Sequence, residues 1–227
     1  MKKRIIAAAV LAASPLLGAK VALAEGELPI TANVSIVSDY AFRGVSQSNQ
    51  RPAIQGGFDY AHDSGLYIGV WASSISDGSA GLETNLYGGY TFEAGPFAFD
   101  IGLLRYYYPG KEWSAGNTTE AYVGVSWEFL TFKYSHATTD LFGQPKSKGS
   151  GYYDLSASYE IMDGLTLDAH YGYSHVKGSG NKSYKDWSLG VTKSYGGVDF
   201  GLHYVDTDIS NDRLADARVV LSVSKSF

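Results

Sequence analysis

Apolar and polar residues alternate with a period of two along nearly the whole of this sequence. The last eleven residues show the pattern clearly. Ala217, Val219, Leu221, Val223 and Phe227 share one parity, with Lys225 as its only charge, and Arg218, Ser222, Ser224 and Ser226 share the other, with Val220 as the exception. Successive side chains of a strand point to opposite sides of a sheet, so each such stretch has one apolar face and one mostly polar face. A single strand of this kind would fit a soluble core equally well. Its recurrence, and the way the copies are joined, narrow the choice.

From Ile30 onward the apolar parity carries Ile30, Ala32, Val34, Ile36, Tyr40 and Phe42, against Asn33, Ser35, Asp39 and Arg43. Further runs follow, among them Leu66, Ile68, Val70 and Ala72 against Tyr67, Gly69, Trp71 and Ser73. About twelve such strands result, each of the length that a tilted bilayer crossing requires. Longer polar connections, such as 44–51, 109–117, 139–151 and 176–183, alternate with tight turns such as 62–65, 94–96 and 162–164. Outer-membrane barrels have short turns at one end and longer external loops at the other. A Greek-key sandwich would not sort its connections by side in this way. The expectation is an all-β chain, a transmembrane antiparallel up-and-down β-barrel of about twelve strands over residues 25–227, with its longer loops outward.

Residues 1–24 read as a signal peptide. Met1-Lys2-Lys3-Arg4 is basic, Ile5 to Leu17 mostly apolar, and Ala22-Leu23-Ala24 an A-x-A site with cleavage expected after Ala24. The apolar run is too short for a membrane-spanning helix. Cleavage would remove Lys2, Lys3, Arg4 and Lys20, leaving 14 of the 18 basic residues against 23 acidic ones. That balance argues against nucleic acid as a partner. The chain has no cysteine, so no disulfide contributes to its stability. Its 18 tyrosines and 27 glycines favour strands and tight turns. The mean hydropathy of −0.12 is ordinary for strands that are apolar on one side only.

The stretches Ser38-Asp39-Tyr40-Ala41-Phe42-Arg43-Gly44 and Pro52-Ala53-Ile54-Gln55-Gly56-Gly57-Phe58-Asp59-Tyr60 resemble the TorF-type porins of Gram-negative bacteria, also catalogued as Gcw_chp. Val45 departs from the Ile expected there. The resemblance implies an outer-membrane barrel and a pore, and supplies neither a substrate nor catalytic residues. The closing strand ending in Phe227 also resembles the signal that outer-membrane proteins present to the barrel-assembly machinery.

Placed on the polar parity, the charged residues expected to line the lumen are Asp39, Arg43, Asp59, Glu83, Glu93, Asp100, Glu120, Glu128, Lys133, Asp154, Glu160, Asp168, Asp186, Asp199 and Arg218. An Arg or Lys on the lipid face costs about 2–4 kcal/mol at the bilayer midplane, which requires such groups to face inward. Acids outnumber bases, so a passage would favour cations; an interior in which the charges pair with one another is the standing alternative. Arg43 and Arg218 are expected to clamp Asp39, with a charged constriction as the other reading. No cofactor or metal is expected, because His62, His136, His170, His175 and His203 have no metal-ligand spacing. A lipid hydrolase would need a Ser–His pair at the outward rim, and His136 has that parity without a serine marked out beside it. Trp71, Trp113, Trp127 and Trp187 read as an interfacial girdle. Lys146, Lys148, Lys177, Lys182 and Lys185 gather in or beside two outer loops and could meet lipopolysaccharide phosphates. The expected partners are outer-membrane lipid and lipopolysaccharide, the assembly machinery, and small solutes or ions.

Overall fold

The computed structural model describes residues 30–76, 81–178 and 180–227, with the backbone alone at 111–113. The expected signal peptide and its cleavage after Ala24 lie outside the described residues. Twelve strands close into a barrel: β1 (Ile30–Val37), β4 (Ala53–Ala61), β5 (Leu66–Ser74), β6 (Leu82–Ala94), β7 (Phe97–Tyr107), β8 (Thr118–Trp127), β9 (Leu130–Ala137), β10 (Gly151–Met162), β11 (Leu165–His175), β12 (Tyr184–Tyr195), β13 (Val198–Thr207) and β14 (Arg218–Ser226). Two further strands, β2 (Ala41–Phe42) and β3 (Val45–Ser46), pair only with each other, inside the β1–β4 connection. Each barrel strand pairs antiparallel with its chain neighbours, and β1 closes the ring against β14. The closure reaches the chain end: the Phe227 and Ala32 amides donate to each other's carbonyls at 2.8 and 3.2 Å.

Alternation decides which side each residue faces, and the result inverts a soluble protein. Ile36, Ile54, Phe58, Leu103 and Leu221 are more than half exposed on the outer wall, while Glu83, Asp100, Glu120, Asp168 and Asp186 are 2% exposed or less on the inner one. An apolar belt of this extent is stable only against another apolar phase. β5 faces as the sequence suggests, with Leu66 and Ile68 outward and Tyr67 turned in toward Asp100.

The short turns lie at one end and the long connections at the other. The turn between β8 and β9 needs only Glu128 and Phe129, with Glu128 at φ 52, the positive value that tight hairpins demand. At the opposite end the chain departs from the sequence reading. β1 stops at Val37, so Tyr40 and Phe42 do not continue its outward face. Residues 38–52 instead fold into the barrel mouth, where Tyr40, Ala41, Arg43, Ser46 and Ser48 are buried.

Candidate functional site

The inner wall divides into two zones. Toward the turns, Ser126, Thr131, Ser156 and Ser158 remain partly open to water, although Asp100 and Asp168 at that end are buried among their own partners. Toward the loops, Asn85, Leu104, Tyr106, Tyr122 and Ser135 are closed off. The loop 38–52 packs against this second zone, its Tyr40 and Ala41 joining one apolar cluster with Leu104, Tyr106 and Tyr122.

Three anchors hold that loop. Asp39 accepts hydrogen bonds from Ser46 Oγ at 2.5 Å, Ser48 Oγ at 2.8 Å and Arg218 Nε at 2.5 Å. Arg218 also donates to the Gly44 carbonyl at 2.9 Å, fastening the loop to β14. Tyr40 donates to Glu83 of β6 at 3.1 Å and sets its ring edge-on to Trp71, 5.5 Å between centroids. Arg43 reaches β8, where Nη2 lies 2.9 and 2.7 Å from the two Glu120 carboxylate oxygens. Its guanidinium lies 4.2 Å from the centre of the Tyr152 ring on β10. Gly44 turns at φ +80 against β12 and β13, where a Cβ would collide with Thr207 and Asp186; only glycine fits there. Above, Phe42, Tyr106 and Phe142 meet edge to face with centroids 5.0–5.6 Å apart.

Beneath the loop a recurrent arrangement fills the wall. An aromatic side chain leans across a glycine on the next strand to reach a carboxylate on the strand beyond. Tyr87 crosses Gly69 to Asp59 at 2.5 Å, Tyr67 crosses Gly89 to Asp100 at 2.7 Å, and Tyr152 crosses Gly172 to Asp186 at 3.0 Å. His203 crosses Gly190 to Asp168, with Nε2 3.3 Å from Oδ2. Tyr122 lies over Gly102 and meets Tyr67 hydroxyl to hydroxyl. Buried carboxylates need such partners, since an unpaired one carries a large desolvation cost.

The expected site residues separate accordingly. Asp39, Arg43 and Arg218 belong to the loop anchor, and Arg218 clamps Asp39 as expected. Arg43 does not: it crosses to Glu120. Asp59, Glu83, Asp100, Glu120, Lys133, Asp154, Asp168 and Asp186 sit inside with partners close by. Lys133, for example, places Nζ 4.2 Å from the centre of the Tyr122 ring. Glu93, Glu128 and Glu160 stand exposed at the turn-side rim and do not line the interior. Glu128 is there because it forms the turn, and Glu160 because it accepts the Gly164 amide at 2.9 Å. Asp199 lies near the same rim, accepting from Ser194 at 2.5 Å. Trp71 faces inward and leaves the expected girdle, whereas Trp127 and Trp187 face outward; the Trp113 side chain is outside the described residues.

Sequence reasoning missed His170. Its Nε2 lies 2.9 Å from Asp186 and its Nδ1 3.4 Å from both Asp154 and Ser156. Serine, histidine and aspartate together suggest a nucleophilic relay. The Ser156 hydroxyl, however, donates to Asp154 at 2.5 Å, so its proton is not aimed at the imidazole. His136, on the outer wall, meets Tyr134 Oη at 3.0 Å. Among the described residues no cluster of three metal-ligating side chains occurs.

Comparison with known proteins follows this geometry. The family described as "Bacterial protein of unknown function (Gcw_chp)" matches residues 21–227. No curated protein matches in sequence. Among solved structures, the KdgM porin superposes with a TM-score of 0.59 at 9% identity, covering 87% of this chain and 99% of that one. The NanC porin does so at 0.56 and 12% identity, covering 86% and 97%. LpxR from Salmonella typhimurium scores 0.50 at 12% identity, covering 87% and 99%. At these identities the likeness concerns the barrel alone.

Proposed function

This chain belongs to the Gcw_chp family, and from that premise we propose that it is an outer-membrane barrel passing small hydrophilic solutes or ions, cations preferred, along a path narrowed by the loop 38–52. The observation that carries the reading is the Arg43–Glu120 pair, 2.7 Å at its shorter contact. It joins a separable loop to the opposing wall, which is where a constriction belongs. Buried ion pairs add little net stability over apolar packing. A barrel built only as a scaffold would have little use for this pair or for Arg218–Asp39.

A KdgM structure holds disordered oligogalacturonate. That acidic ligand does not carry over, because the interior here holds many carboxylates and few bases. The second reading is a closed structural barrel, favoured by the near-complete burial of Glu83, Glu120 and Asp186. Planar-bilayer recording of the refolded 25–227 chain separates the two: the pore gives discrete conductance steps, and silence in both the original and an Arg43→Ala variant favours the closed barrel.

The proposed insertion signal at Phe227 has its own test. Deleting Phe227 should lower the amount reaching the membrane in cells far more than it lowers the stability of the refolded barrel. Equal losses would make it a packing residue, through its seam bonds to Ala32 and the Lys225 ammonium 5.1 Å from its ring centre.

A further inference from the structure

Two arginines lie within the described barrel strands, and they face opposite ways. Arg218 turns inward to Asp39, whereas Arg105 of β7 shares the outward parity of Ile101, Leu103 and Tyr107. The register partners of Arg105 are Leu86 on β6 and Thr119 on β8. Leu86 and Leu103 are more than half exposed, so a permanently charged side chain stands among residues that face lipid. Such a group is costly deep in a bilayer and is tolerated where it reaches the headgroup layer. Arg105 lies two residues short of Tyr107, the loop end of its strand, and its long stem can carry the guanidinium toward that layer.

Among the described residues, Arg105 forms no ion pair, and its one hydrogen bond runs from Nη1 to Thr119 Oγ1 at 2.8 Å. Asp140, in the loop that follows β9, is turned to the backbone amides of Lys146 and Lys148 and makes no pair with it. The bond to Thr119 lays the guanidinium along the wall. It leaves the other N–H donors of Arg105, and the proton of the Thr119 hydroxyl, without an acceptor among those residues. The planar fork of an arginine matches two phosphate oxygens at once. One step toward the loops, about 7 Å along the strands, the same register reaches Tyr107 and Asn117. These two residues line a cavity of about 350 Å³ with Tyr108, Gly110 and Ser114. Asn117 Oδ1 accepts the Tyr108 amide at 2.8 Å, which holds the two sides of the cavity together. Gly110 turns at φ +125, and a Cβ there would meet nothing within 4 Å, so that side of the cavity is open.

We propose that Arg105 and Thr119 bind the phosphate of an outer-leaflet lipid, whose headgroup extends toward the cavity above them. The wall then meets the lipid in order. Leu86 and Leu103 lie on the acyl side, Arg105 and Thr119 at the phosphate, and Tyr107 on the headgroup side, where tyrosine rings favour the boundary. The anion supplies the counter-charge that the protein does not, and the charge-assisted bonds fix the lipid at one place on the barrel. The leaflet rests on the proposed orientation, in which the loop end faces outward. Binding in micelles depends neither on that orientation nor on conductance, so it fails or succeeds independently of the pore.

The test uses the refolded protein in detergent micelles, with binding of phosphorylated lipid A and of dephosphorylated lipid A measured by native mass spectrometry and titration. The original should bind the phosphorylated form about tenfold more tightly, as expected for charge-assisted contacts. Arg105→Gln should remove that preference. Arg105→Lys should keep part of it, because an ammonium supplies the charge without the fork. Lys193→Gln, on the outer wall at the turn end of β12, should leave it unchanged. Heat-modifiable gel mobility establishes that every variant is folded. Displacement of the lipid by millimolar inorganic phosphate would overturn the lipid assignment in favour of a soluble anion. The same preference in the original and in Arg105→Gln, or equal loss in Lys193→Gln, would overturn the site itself.

Discussion

Arg43 and Glu120 stand 77 positions apart in the chain, and their side chains meet inside the barrel with both carboxylate oxygens within 2.9 Å of one guanidinium nitrogen. The pair links the inward loop to β8, and both groups are screened from water. Removing one partner of a buried pair leaves the other unpaired, at a cost of about 3–5 kcal/mol. Arg43→Gln should therefore lower the urea midpoint of the micelle-embedded barrel. Arg43→Gln/Glu120→Gln should recover most of that loss, because neither neutral amide needs a counter-charge. Both variants undo the loop's tie to β8 while its ties to β6 and β14 remain, so both should raise single-channel conductance. Destabilisation without any gain in conductance would make the pair a structural tie and not a constriction.

The inward fold of residues 38–52 changes what can be reached from outside. A chain without cysteine accepts single cysteines without background. Cysteine at Lys146 or Asn211, both exposed at the loop end, should react with a membrane-impermeant maleimide on intact cells. Cysteine at Ser46, 3% exposed, should not react until the barrel is unfolded. Cysteine at Asp63 or Asp163, in the short turns, should react only after the outer membrane is broken. The reverse pattern would invert the orientation.

The architecture was legible because alternation and connection length are local properties. Twelve strands, their facing and the two kinds of barrel end all follow from neighbours in sequence. The loop 38–52 was not legible, since parity carried Tyr40 and Phe42 onward as though β1 continued. Nothing local shows that the strand stops at Val37, nor that Arg43 finds its partner on β8. Glu128 was misplaced because parity ignores turns, and its positive φ belongs to the hairpin. His170 was missed because it joins Asp154 on β10 to Asp186 on β12, an association that only register reveals.

The aromatic-over-glycine arrangement gives a sharp stability test. A methyl group at Gly172 would collide with Tyr152 Oη, and Asp186 Oδ2 lies only 2.5 Å from the Cβ position. Filling a packed site in this way costs about 1–3 kcal/mol. Gly172→Ala should lower the unfolding midpoint accordingly. Gly172→Ala/Tyr152→Ala should cost less than the sum of the single changes, because the second substitution removes the obstruction. Strict additivity would mean that the glycine serves the backbone and not the tyrosine.

Ion preference is the remaining prediction, and the interior geometry alters its basis. Counting acids on one parity suggests that every carboxylate contributes. Several inner ones lie against bases, Glu120 against Arg43, Asp39 against Arg218, and Asp154 and Asp186 against His170, while Asp59, Glu83 and Asp100 meet only neutral tyrosine or amide groups. Ion-paired charges project little field into a passage, so the strongest selectivity should arise at the turn-side mouth, where Glu128 and Glu160 face water and Asp199 lies beside them. Exposed charges are screened beyond about 8 Å at physiological salt and about 3 Å at 1 M. The reversal potential across a salt gradient should thus favour cations at low salt and fade as both solutions approach molar strength. Glu128→Gln/Glu160→Gln should abolish most of the bias without changing the unfolding free energy by more than about 0.5 kcal/mol, the usual range for surface changes. A preference that survives in this variant would place the selective charges among the inner acids, and an anion preference in the original would exclude the cation reading.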